Sequence, residues 1–150
     1  MEVFMKKLLI EILLGLSLPA AIFHTQIANI FKAELPVSKT INLQIARDTN
    51  YNQSVYDMSK ASIHVVIFKV KENKQIVLWE KDYDTMPLKN YPTLQNALHD
   101  NVTVGNILDR KEKLYVTYTI TYNTNGGIMH LENGTALLKG EKQGNLLISL

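Results

Sequence analysis

The chain contains no cysteine in 150 residues. That excludes disulfides, thiolate metal centres, a cysteine nucleophile and a lipid-modified N-terminal cysteine. Arginine is confined to Arg47 and Arg110, so the planar forks that read phosphate are scarce. The formal charge is only +2. Residues 1–28 carry two lysines and two glutamates, so the rest has the same balance. Neither feature suits nucleic acid. There is no Gly-x-Ser-x-Gly elbow, no His-x₃-His or His-Glu-x-x-His spacing, and no glycine loop of the phosphate-cradling kind. These gaps speak against nucleophilic, metal-dependent and nucleotide chemistry, and no metal or cofactor is expected.

What is present is apolar and ordered. Hydrophobic residues make up 46%, a globular share over a length that fits one ordinary domain. Met5-Lys6-Lys7 gives a short basic start. An apolar stretch follows from Leu8 to Phe23, interrupted by Glu11, Gly15, Ser17 and Pro19, and then comes polar His24-Thr25-Gln26. That order matches a secretory signal. Residues 1–28 are therefore read as a signal peptide or N-terminal apolar helix, and residues 29–150 as the folded domain, periplasmic or secreted. The apolar stretch is shorter than the ~20 residues a span requires, so membrane contact is transient and limited to this segment.

The body is built on a period of two. Ile41, Leu43 and Ile45 alternate with polar neighbours, as in a half-buried strand. Residues 48–59 are polar and read as a loop pinned by Val55 and Tyr56. Ile63 to Val70 is apolar on both parities and rich in β-branched residues, which suits a central strand. Lys71 to Lys74 is a turn, and Ile76 to Tyr83 returns with a polar half, Glu80-Lys81-Asp82, suited to an edge. Pro87 and Pro92 mark a connection, after which Thr93 starts a short helical turn carrying Leu94, Ala97 and Leu98. Val102 to Leu108 is a weak strand interrupted by Gly105.

The clearest strand is Leu114 to Tyr122. Leu114, Val116, Tyr118, Ile120 and Tyr122 share one face, and Tyr115, Thr117, Thr119 and Thr121 the other. Asn125-Gly126 and Asn133-Gly134 then read as two type I′ turns. They separate Ile128–Leu131 from Thr135–Leu138, and Leu146, Ile148 and Leu150 close the chain. Seven or eight short strands with little helix predict an all-β fold, an antiparallel sandwich. Parallel pairing is not expected, since no crossover helix is visible.

Chemistry-bearing residues are few. His64 and His130 fall in strands, and none of His64, His99 and His130 has ligand spacing; Asp82 with Asp84 lacks a calcium loop. Trp79, Tyr83 and Tyr115 are the candidates for a binding surface, with Thr117, Thr119 and Thr121 beside Tyr115. For Trp79 the competing reading is a plug in the core.

The closing segment, from Leu114-Tyr115-Val116-Thr117-Tyr118 through Gly126-Gly127, Ile128–Leu131, Asn133, Thr135, Leu138 and Gly140, resembles the bacterial YscW/YbaY group of small exported β-sandwich lipoproteins. Ala61-Ser62-Ile63-His64-Val65-Val66-Ile67 is similar to an early strand of that group. The group includes pilotins of type III secretion. The resemblance implies an accessory or chaperone-like, non-enzymatic factor that engages another envelope or secreted protein, including a secretion-system component. Members are usually anchored through a cysteine, which this chain lacks, so a soluble form is implied. The alternatives are a carbohydrate-binding module using Trp79 and a small hydrolase using paired carboxylates.

Overall fold

The computed structural model describes residues 34–48, 58–137 and 139–150. The signal-like segment and the loop carrying Val55 and Tyr56 lie outside these residues. Seven strands form a unit spanning Leu35–Leu150: β1 (Val37–Ala46), β2 (Lys60–Lys71), β3 (Lys74–Pro87), β4 (Leu98–Ile107), β5 (Lys113–Thr124), β6 (Gly127–Leu137) and β7 (Gln143–Ser149). The only helical pieces among the described residues are two 3₁₀ turns, Leu88–Asn90 and Leu94–Asn96.

The strands form two sheets, a three-stranded one in the order β4-β1-β7 and a four-stranded one in the order β3-β2-β5-β6. Their alternation makes the core. Ile41, Leu43 and Ile45 from β1, Ile148 from β7, Ile63, Val65 and Ile67 from β2, and Leu114, Val116 and Ile120 from β5 join one buried cluster. Burying each such side chain contributes about 1.5–3 kcal/mol. The all-β reading stands, and on β5 the alternating apolar row is the buried one.

Three expectations are corrected. First, β1 and β7 run parallel, with Ile41 opposite Gly144 and Ile45 opposite Ile148. A parallel pair needs a long connection. Here the rest of the domain supplies it, so no crossover helix is required. Second, Asn133-Gly134 is not a turn. β6 pairs with β5 without interruption from Thr124↔Gly127 to Leu114↔Leu137. A Cβ on Gly134 would lie 2.7 Å from the Val116 carbonyl oxygen and 2.9 Å from Thr117 Cγ2. The glycine is there for close approach, not for reversal. Third, the pair with positive φ at both centres is Glu72 and Asn73, at 50° and 63°, which closes β2 onto β3 in the I′ manner. Asn125-Gly126 does close the β5–β6 hairpin, but the positive φ falls on Gly127. There Thr124 Oγ1 accepts the Gly126 N–H at 3.2 Å and donates to the Gly127 carbonyl at 3.1 Å. Smaller differences follow: β3 continues to Pro87, β4 runs through Gly105, and Leu98 belongs to β4 rather than to the short turn.

Two ion pairs fix the region between β4 and β5. Lys39, on the core-facing parity of β1, is 2% exposed. Its ammonium meets Asp109 Oδ1 at 2.6 Å, and the Gly140 N–H donates to Asp109 Oδ2 at 2.6 Å. Lys69 Nζ donates to the Asn106 carbonyl at 2.7 Å and to Glu112 Oε2 at 3.0 Å. The Leu108 N–H donates to the same carboxylate oxygen at 2.9 Å. The Lys39 hydrogen bond, then the Gly140 N–H, hold Asp109 below the usual carboxylate range. Burial pushes Glu112 upward, but the Leu108 N–H and Lys69 outweigh it, and the net direction is down.

Candidate functional site at a sheet edge

Among the described residues, each sheet ends in two strands whose outer main chain has no neighbour in its ladder, and such edges template further pairing. β3 carries Lys74, Glu80, Lys81, Asp82 and Asp84, ends in Pro87, and is irregular in two places against β2. Those are protective devices. β4 is fastened to β3, as described below, and β7 is only 7 residues long. β6 has 11 residues, no lysine, arginine or proline, and Glu132 as its one formal charge. β4 and β7 are no richer in charge, but β4 is tied to β3 and β7 is short, so β6 is the long edge without either restraint.

β6 is also apolar where it is open. Ile128, Met129 and Leu131 are 67%, 58% and 46% exposed. Met129 and Leu131 pair with Tyr122 and Ile120, so they stand on the core-facing side, where three strands face four. β6 meets β7 at Leu137, whose side chain would lie 3.0 Å from a Cβ on Gly144. A depression of about 350 Å³ runs beside that contact, lined by residues that include Thr135, Leu137, Gly144 and Leu146. On the outer face lies a shallow hollow of about 460 Å³, lined by residues that include Phe68, Gln75, Thr117, Thr119, Glu132 and Asn133. The Gly134 N–H donates to its neighbour's Asn133 Oδ1 at 2.7 Å.

The sequence-derived candidates separate into two groups. Tyr115, Thr117, Thr119 and Thr121 lie half-buried on the outer face of β5, directly beside Ala136, Gly134, Glu132 and His130 of β6. Tyr115 stacks on Phe68 with centroids 5.4 Å apart and planes 14° apart. Thr121 Oγ1 and His130 Nδ1 are 3.0 Å apart. Trp79 and Tyr83 sit on the opposite face of the same sheet, opposite Ile67 and Ile63, and pack against the core. The Tyr83 hydroxyl donates to Asp100 Oδ2 at 3.0 Å, and Lys81 Nζ donates to that oxygen at 2.7 Å. The Lys81 ammonium lies 4.7 Å from the Tyr83 ring centre. Burial first, then the bond to Asp100 and its charge, raises the Tyr83 hydroxyl well above an ordinary phenol. The bond from Lys81, then that from Tyr83, lowers Asp100 against the opposing effect of burial. This cluster ties β3 to β4 and belongs to the fastening of the sandwich.

β6 itself was missed by sequence reasoning, because a presumed turn at Asn133-Gly134 cut it into two short pieces. The run from Leu114 to Leu138 carries no lysine, arginine or proline, so it has room for two long strands around Asn125-Gly126. Elsewhere, His64 Nδ1 and Asp82 Oδ1 are 2.8 Å apart on the outer face. No group of three or more His, Asp or Glu that could hold a metal ion occurs among the described residues. The carboxyls with a resolved shift, Asp100, Asp109 and Glu112, are all lowered and all hydrogen-bonded. None of these three has the raised value a general acid needs.

Compared with known proteins, the chain matches no family model, no curated protein and no solved structure.

Proposed function

We propose that this chain is a non-enzymatic, exported binding protein of the bacterial envelope. It captures an extended segment of another protein along the free edge of β6. The observation that carries this reading is an eleven-residue edge bearing exposed Ile128, Met129 and Leu131 and a single formal charge. Strand addition draws affinity from main-chain hydrogen bonds and specificity from alternate side chains. Here one row of the captured strand would meet the core-facing shelf of Met129 and Leu131. The other row would meet the outer face, where the Thr117–Thr119 surface and the hollow beside Glu132 and Asn133 lie. The basic and apolar N-terminal pattern supports delivery to the envelope. The likeness to the YscW/YbaY group points to the same accessory role.

The test is selection of extended peptides from a displayed random library on the full chain. The reading expects enriched sequences that alternate apolar and polar residues. It expects Leu131→Lys to abolish their binding while thermal stability stays within about 0.5 kcal/mol, as for exposed sites generally. Trp79→Ala should leave the selected sequences unchanged. Peptide binding that survives Leu131→Lys but is lost in β3 variants would refute the assignment.

A further inference from the structure

We infer that, when no other strand is present, β6 pairs with β6 of a second copy of this chain, antiparallel and with Leu131 on the two-fold axis. The inference rests on β6 being the binding edge and names its occupant. An isologous contact sets each residue of one strand against a fixed residue of the other, so every register can be checked from the β6 sequence. With Leu131 facing Leu131 of the second copy, His130 stands opposite Glu132, Met129 opposite Asn133, and Ile128 opposite Gly134. The ionisable residues of this strand are thus matched twice, once on each side of the axis. The exposed Ile128 side chain falls opposite Gly134, the one residue on the outer face of β6 that has no side chain of its own.

The neighbouring registers are worse. An axis on Glu132 sets two carboxylates face to face, and like charges directly opposite destabilise a sheet pair. An axis on His130 sets Ile128 against Glu132 and leaves no charge matched. A one-residue shift puts the core-facing row of one copy against the outer row of the other. The histidine is also prepared for its role. Thr121 Oγ1 and His130 Nδ1 are 3.0 Å apart; in the tautomer where Thr121 donates, the ring proton is on Nε2 and can be donated to a carboxylate.

The absence of cysteine from the whole chain makes the register directly readable. Paired residues across two strands bring Cα atoms to about 4.5–5.5 Å, within the range a disulfide bridges. Full-length Leu131→Cys should therefore form a covalent dimer on mild oxidation. Met129→Cys and Asn133→Cys should stay monomeric, because their copies lie four residues apart along the strands, about 13 Å. As a second measurement, sedimentation of the full chain should show dimerisation weakened about tenfold or more by His130→Glu, which sets a carboxylate opposite Glu132 on each side of the axis. Adding Glu132→Lys should restore it. Cross-linking that is equal at all three positions, or a charge exchange without rescue, overturns the inference. A chain that stays monomeric by sedimentation and uncross-linked at Leu131→Cys, yet still binds the library-selected peptides, overturns the homotypic pairing and leaves the β6 edge intact. Loss of both overturns the two readings together.

Discussion

β3 and β6 are the two edges of the same sheet, and they are finished in opposite ways. β3 is guarded by charge, by irregular pairing and by the cluster of Lys81, Tyr83 and Asp100 that fastens it to β4. β6 is longer than its cover, regular against β5, and apolar on the side where a core would continue. A sheet edge left in this state invites association. Its pairing with a protected edge in one small domain shows that the protection is selective. The difference teaches where this fold can accept another chain without rearrangement.

The largest break of the comparison is removal of the last five residues. Ile148 is fully buried, Leu150 is 4% exposed, and the Leu150 N–H bonds the Ala46 carbonyl at 2.9 Å. Losing these side chains should cost at least about 4 kcal/mol, by analogy with large core truncations. Thermal melting measures it, and an unmoved midpoint would show that β7 does not support the open side of the sandwich.

Next is Asp109→Asn, which removes the carboxylate charge that faces the buried Lys39 ammonium at 2.6 Å. Removing one partner of such a pair should cost about 3 kcal/mol. The acid dependence sharpens the point. Asp100, Asp109 and Glu112 have lowered values in the folded chain, so the unfolded chain binds their protons first. Their stabilisation is complete above the ordinary carboxylate range and is lost as pH falls through about 4 toward the folded values. Melting curves taken at decreasing pH should fall steeply there for the parent chain and less steeply for Asp109→Asn.

Gly134→Val should cost about 2 kcal/mol, because the new atoms meet the Val116 carbonyl and Thr117. Ala136→Val, two residues along at an exposed position of the same face, should be nearly neutral. Equal effects would mean that Gly134 is not a packing requirement.

The smallest effect on stability belongs to an edge exchange. Glu80→Val with Asp82→Val strips outward charges from β3 and should change stability by less than about 1 kcal/mol, since the His64–Asp82 contact is exposed. It should nevertheless make the chain associate through β3 in light scattering. No change in association would mean that charge is not what guards this edge.

Much of the sheet was legible in the chain because a period of two records which face is buried. The rows Leu114–Tyr122 and Ile41–Ile45 needed nothing more. The polar half of β3 announced an edge in the same way. What stayed hidden was non-local. Nothing in Leu146, Ile148 and Leu150 says that their neighbour is β1 or that the pair is parallel. Asn133-Gly134 misled because glycine answers two different demands, positive φ and close approach, and the sequence does not distinguish them. Trp79 and Tyr115 carry the same chemistry in a sequence. They fall on opposite faces because the irregular pairing between Ile67 and Phe68 resets the parity of β3.

Residue-resolved hydrogen exchange on the full chain tests the central claim most directly. On addition of the library-selected peptide, the β6 amides from Ile128 to Thr135 should slow, while those from Gln75 to Asp84 of β3 stay as they were. Slowing at β3 with β6 unchanged would contradict the account.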